Sequence, residues 1–372
     1  MSSSRVPRLV VLAWALAVAA LVGLGFAVAH YLSGGSSGMH GMQMGTAHAL
    51  TRAGAGSPSQ SLSGARLVTA WQLDAIAVAV LVLAAAAYLT GVALLPVRSP
   101  GLHWPKRHTA AFLAGLAVCA YATCGSVAVY DQVLFSAHMV GHLCLIMVAP
   151  ALVVAGRPLT LLLAASPPRR RARLERIARG RVVALLTAPP VTLATYALVL
   201  VGTHLTGLMD VIMRNAWAGQ LEHLVFLVVG YQFFVLIVGD EPIRWRLASP
   251  ARWLLLAIGM AVDTFTGIIL MQGSTAVEMV RSGLHVNALS DTRTGGAIMW
   301  FGGDAIMAVI MVLLVIDWLR NVERAPAERG WLAQARGAAF AANTGAAETE
   351  IVDDEDEAAR AAYNQWLSKL DR

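Results

Sequence analysis

Apolar residues run through this chain in long unbroken blocks rather than in alternation, and the polar residues fall mostly between the blocks. Seven blocks, residues 71–95, 109–130, 137–163, 182–202, 217–239, 252–272 and 295–319, are long enough to cross a bilayer. At about 1.5 Å per residue each reaches the roughly 30 Å of hydrocarbon that a spanning helix must cover. The pattern predicts an all-α fold, a polytopic transmembrane helix bundle of seven core helices. Pro150 and Pro158 should kink or end the third, because proline removes a backbone donor.

An eighth apolar run, residues 6–32, lies behind Arg5 and Arg8 and reads either as a membrane anchor or as a signal peptide cut after Ala27-Val28-Ala29. Its apolar core exceeds the roughly 7 to 15 residues of a signal peptide, which favours the anchor; in both readings the stretch directly after it is exported. Four regions result: this N-terminal segment (1–32), a Gly/Ser/Ala-rich flexible linker (33–70), the seven-helix membrane domain (71–320) and a polar tail (321–372) with the acidic run Glu350-Ile-Val-Asp-Asp-Glu-Asp-Glu357.

Composition agrees: 57% hydrophobic, 13% charged and a mean hydropathy of +0.63 exclude an ordinary soluble globule. The net charge of +6 does not point to nucleic acid, because the basic residues sit in short loops, where they report orientation. With the N-terminus inside, 23 of the 28 Lys and Arg residues fall on the inner side. Arg169-Arg-Arg-Ala-Arg173 and the tail are then cytoplasmic, and the linker is outside. The three cysteines all lie in apolar blocks and form no disulfide framework. A phosphate loop and a CxxC pair are missing, and the GxSxG string Gly34-Gly-Ser-Ser-Gly38 falls in the Gly/Ser-rich linker and not at a strand-to-helix elbow, which argues against a hydrolase or a nucleotide-driven pump.

The chemistry concentrates in Phe135-Ser-Ala-His-Met-Val-Gly-His142, where His138 and His142 share one helical face roughly 5–6 Å apart at Cβ. Imidazoles at membrane depth are costly unless partnered, so the pair is either a metal site or an interfacial pair bonded to water and headgroups. The alternating topology puts His138, His142, His223, Cys124 and Met299 at one level, roughly 7–9 Å below the outer surface. Imidazole with thiolate and thioether suits Cu(I) better than Zn(II), with the histidines as primary ligands and Met299 and Cys124 behind them. Glu222 could orient an imidazole.

Met39, His40, Met42 and Met44 form a second soft cluster, in the exported linker, suited to transient Cu(I) capture. About 35 flexible residues span roughly 30–36 Å, enough to reach the outer mouth of the bundle. His204 and His285, on the outer side, read as ligands at the way in or as surface residues. Asp263 and Asp304 fall near the membrane middle, where they could pair, hold water or offer a deeper ion position. Asp291, just before the last helix, could cap it.

Tyr130-Asp-Gln-Val-Leu-Phe-Ser-Ala-His-Met-Val-Gly-His142, Ala149-Pro150, Gly156-Arg-Pro-Leu-Thr160, Leu221-Glu-His223, Gly239-Asp-Glu-Pro242 and Asp291 followed by Gly295-Gly-Ala-Ile-Met-Trp300 make an ordered set. The set resembles the CtaG family of caa3-type cytochrome c oxidase assembly factors, over about residues 73–320. The resemblance implies a multi-pass protein of the bacterial plasma membrane that helps mature haem-copper oxidases, with copper handling its role and oxidase subunits its partners. Two departures stand out. Thr292 follows Asp291 where the family often has Gln, and the Met/His-rich linker is not general in the family.

The function expected is therefore a copper-binding assembly factor that collects Cu(I), holds it at the outer histidine layer and passes it to an oxidase subunit, without being an enzyme. Three alternatives stay open. One is a haem-binding membrane oxidoreductase with His142 and His223 as axial ligands. Another is a copper permease lined by Asp263 and Asp304, and the last is a scaffold that gathers oxidase subunits.

Overall fold

The computed structural model describes residues 52–53, 65–239, 241–277, 279 and 286–324. The N-terminal segment, the linker's Met39, His40, Met42 and Met44, His285 and the tail beyond Arg324 lie outside the described residues. Two short strands, β1 (Arg52–Ala53) and β2 (Leu73–Asp74), pair antiparallel; nearly everything else is helix.

Among the described residues, six helical stretches are long and apolar enough to cross a membrane: Ala75–Arg98, Lys106–Tyr130, Phe135–Ala165, Trp217–Ile237, Ser249–Gln272 and Ala288–Leu319. The elements within and around them are α1 (Arg66–Thr69), α2 (Ala75–Arg98), α3 (Lys106–Cys124), α4 (Ser126–Tyr130) and α5 (Phe135–Leu143). Next come α6 (Ala149–Ala155), α7 (Pro158–Ala165), α8 (Pro168–Ala178), α9 (Arg181–Leu186) and α10 (Pro189–His204). The last are α11 (Leu208–Arg214), α12 (Ala216–Ile237), α13 (Ser249–Gln272), α14 (Ala288–Ala297) and α15 (Gly303–Arg324).

The bundle predicted from the blocks is present, with one change. The fourth block is not one helix, because Pro189 and Pro190 divide it into α9 and the 16-residue α10. Proline is tolerated in the first turn and not in the interior, so the pair restarts the helix instead of continuing it. Alone, α10 covers only about 24 Å.

The third block shows why proline matters inside a span. Pro150 has no N–H to give to Ile146 four residues earlier. The helix answers with a π-turn at Cys144–Val148, in which the Ala149 N–H reaches back to the Cys144 carbonyl. The Ile146 carbonyl lies against Gly230 on α12, so closely that a Cβ there would overlap it and the Pro150 ring. Further on, Arg157 takes a left-handed conformation (φ 52°) and ends the run, consistent with the bias of a residue before proline against the α region. Pro158 then opens α7. The Gly156 carbonyl exposed at this break accepts the Tyr88 hydroxyl at 2.7 Å, from α2.

A matching π-turn, Ile298–Gly302, joins α14 to α15. Among the described residues, those up to Met311 form one compact unit, and those from Val312 to Arg324 belong to a second and are helical.

Candidate metal centre

The site is built on the first two turns of α5. Leu134, its N-cap residue, offers no side-chain cap, so the first N–H groups need partners from elsewhere. Asp291, in the first turn of α14, supplies them: Oδ2 accepts the Phe135 N–H at 2.6 Å, and Oδ1 accepts the Ser136 hydroxyl at 2.5 Å. The expectation that Asp291 caps its own helix is corrected here. Asn287 does that, accepting the Ser290 N–H at 3.0 Å, because the last helix starts at Ala288, several residues earlier than the apolar block suggests.

One turn into α5, His138 and His142 stand with ring centroids 4.1 Å apart, at 3% and 4% exposure. Opposite them α12 presents Glu222, 5% exposed. Its Oε2 lies 3.7 Å from His138 Nε2 and its Oε1 lies 3.2 Å from His142 Nε2. One ligand atom from each of the three residues falls within 4.8 Å of the others. Phe226, one turn on along α12 and fully buried, stacks on the His142 ring at 4.1 Å.

Behind His142 stands His204, the last residue of α10, 6% exposed. Its Nδ1 lies 2.8 Å from the Leu200 carbonyl oxygen, an atom that can only accept, so Nδ1 carries the proton and donates. In neutral His204, Nε2 is then an acceptor, and the nitrogen 2.9 Å from it, His142 Nδ1, must donate. His142 therefore keeps its proton on Nδ1 and turns a bare Nε2 lone pair toward Glu222. Neither Nε2 atom nor either Glu222 oxygen has a hydrogen-bond partner.

The bare Nε2 of His142 and the Glu222 oxygens repel one another, and a buried carboxylate without a counter-charge is costly. A cation among the three, whether a proton or a metal ion, removes both penalties. The residues thus fit a metal: two imidazole nitrogens and a carboxylate oxygen, with an outer imidazole fixing the tautomer of one ligand.

Of the residues singled out by sequence, the structure brings His138 and His142 together and adds Glu222, which was expected only to orient a ring. His223, next along α12, is half-buried and outside the trio. Cys124 is buried with its thiol 3.7 Å from the Thr123 hydroxyl, also outside it. Met299 is buried in the second π-turn. The donors that meet are two imidazoles and a carboxylate, where the expectation was three histidines with Met299 and Cys124 behind them. For His204 the sequence leaves two readings open, a ligand at the way in or a surface residue. Its place at the end of an apolar helix was visible in the sequence, but not the inward turn that sets it behind His142.

A family profile described as cytochrome c oxidase caa3 assembly factor (Caa3_CtaG) matches residues 86–321, well over half of the chain. The chain belongs to this family. As a Caa3_CtaG protein with six long apolar helices, it is a multi-pass membrane protein of an oxidase-assembly family.

Its similarity extends to an uncharacterized protein of Mycobacterium bovis and one of Mycobacterium tuberculosis, each 30% identical over 320 residues, covering 83% of this chain and 45% of the relative. An uncharacterized protein of Mycobacterium leprae is 31% identical over 276 residues, 70% of this chain and 41% of the relative. This Caa3_CtaG chain thus spans less than half the length of these curated relatives. No solved structure matches it.

Proposed function

We propose that this chain is a membrane assembly factor for a haem-copper cytochrome c oxidase that holds a copper ion at His138, His142 and Glu222 and passes it to an oxidase subunit. Family membership supports the assembly role and the oxidase partner. The observation that carries the metal reading is the set of four buried nitrogen and oxygen atoms without a hydrogen-bond partner on the three side chains.

Imidazoles accept copper in either oxidation state, and the carboxylate offsets the ion's charge. Copper as cargo demands exchange, and three protein donors leave room for an incoming ligand from the acceptor subunit. The bias of basic residues between loops supports an orientation with the site near the outer face of the plasma membrane and with α8 and the tail in the cytoplasm. On that orientation Met39, His40, Met42 and Met44 collect Cu(I) outside and hand it inward. No covalent bond is made or broken, so the role is not enzymatic.

The haem alternative is disfavoured by crowding at the ring it would need. His142 has Phe226 stacked on it, His204 at Nδ1 and Glu222 3.2 Å from Nε2, so a macrocycle ligated there would have to displace the carboxylate.

Metal analysis of the purified full chain, with an absorption spectrum, tests the proposal. Stoichiometric copper is expected in the parent and a large loss in His138→Ala/His142→Ala and in Glu222→Gln, at unchanged helical content. Zinc or iron in the same three-residue site would overturn copper as the cargo, and a strong Soret band would overturn the copper-only reading.

A further inference from the structure

Near the middle of α13, Asp263 has no solvent exposure, and neither of its carboxylate oxygens has a hydrogen-bond partner. Its Oδ2 lies against the backbone of Gly303, the first residue of α15, where any Cβ would overlap it. The Met147 methyl group, from the π-turn that follows α5, borders the same position.

A second side chain there is also unpartnered. Tyr196, on α10, is fully buried with its hydroxyl unsatisfied, and Asp263 is the charge that acts on it. The remaining titratable group is Asp304 on α15, which accepts the Thr264 hydroxyl at 2.8 Å and 3.1 Å and is the charge that acts on Asp263. α12 meets α13 with Phe233 against Gly259 and brings no charge to this level.

An ionised carboxylate in hydrocarbon needs a counter-charge or several donors. Here the charged neighbour has the same sign, and two carboxylates at one level do not both ionise readily. We propose that Asp263 is a proton-binding site within the membrane span, held as the neutral acid in the field of the Asp304 carboxylate, which accepts the Thr264 hydroxyl. The acid O–H and the Tyr196 hydroxyl then supply the donors that the cluster otherwise lacks. Releasing the proton would leave two like charges side by side, so exchange requires the α13–α15 contact at Gly303 to open or a cation to arrive. The site is separate from the His138–His142–Glu222 centre and stands whether or not that centre holds copper.

Infrared spectroscopy of the full chain in lipid near neutral pH reads the acid directly. The expected result is a carboxylic-acid carbonyl band in the parent that shifts in D2O, disappears in Asp263→Asn and persists, displaced, in Asp304→Asn. Tyr196→Phe should move the band without removing it. If Asp263→Asn does not accumulate, Gly303→Ala, which puts a methyl group where Oδ2 lies, should displace the band. Copper content should be unchanged in Asp263→Asn. An absent band, a band lost only in Asp304→Asn, or a stoichiometric metal ion lost in Asp263→Asn would each overturn the proposal.

Discussion

The carboxylate of Asp291 receives the backbone N–H of Phe135 at 2.6 Å, across 156 positions of sequence. The helix that carries His138 and His142 is thus started by a residue of another helix. A carboxylate at a helix N-terminus satisfies orphan donors and favours the positive end of the dipole. Asp291→Ala should destabilise the protein by about 1–3 kcal/mol and loosen the metal centre, because an uncapped first turn lets His138 move. Asp291→Asn keeps one acceptor and should lose less. Thermal unfolding and metal content check this; a parent-like melt with full metal would show that the cap is dispensable.

Glu241 repeats the device at the other break. Its carboxylate accepts the Leu159 N–H at 3.1 Å, the Thr160 N–H at 2.9 Å and the Thr160 hydroxyl at 2.7 Å, closing the start of α7 after the left-handed Arg157. Burial pushes this carboxyl above its ordinary value of 4.5, and the bonds from Thr160 and Leu159 oppose the rise without cancelling it. The folded protein then holds the Glu241 proton more tightly than the unfolded chain does. Its contribution to stability is full below about 4.5 and is lost as pH climbs through the raised value. Glu241→Gln should remove that slope, read as a flatter dependence of melting temperature on pH in the weakly acidic range. An unchanged slope would assign it to another group.

The contact between Ile146 and Gly230 predicts a sharp contrast within one helix. Gly230→Ala forces a methyl group into the freed carbonyl and the Pro150 ring, and overpacking of this kind costs about 1–3 kcal/mol or more. Gly219→Ala, also on α12, meets nothing within 4 Å and should be neutral or stabilising by up to about 1 kcal/mol. Unfolding midpoints of the two variants in one detergent decide it. Equal midpoints would mean that the two helices part easily.

Block length and loop charge made the bundle legible in the sequence, because spanning hydrocarbon constrains composition directly. The division at Pro189-Pro190 was legible in principle, since two prolines inside an apolar run forbid one continuous helix. Two of the trio were visible because His138 and His142 share one helix, so spacing alone places them together. Glu222 and His223 are adjacent, and the sequence could not say which faces the pair: neighbours on a helix differ by about 100°, and apolar residues surround both. Asp291, Glu241 and His204 act across long sequence separations on groups of other helices, and nothing local to each reveals its partner.

His204 gives the last prediction, because it acts on the centre without lying in the trio. It holds the proton of His142 on Nδ1 and so keeps Nε2 free for an ion. In His204→Ala that acceptor is gone and the ring can place its proton on Nε2, facing Glu222, where a metal would have to displace it. Loss of such an outer partner typically lowers metal affinity about 10–100-fold. The cost is a tautomer shift that returns the proton from Nε2 to Nδ1 without releasing it, so affinity in His204→Ala should fall while its pH slope stays that of the parent. A competition assay with a copper chelator across several pH values measures both. If affinity matches the parent, His204 only fills space behind the ring, and the tautomer of His142 is fixed by something else.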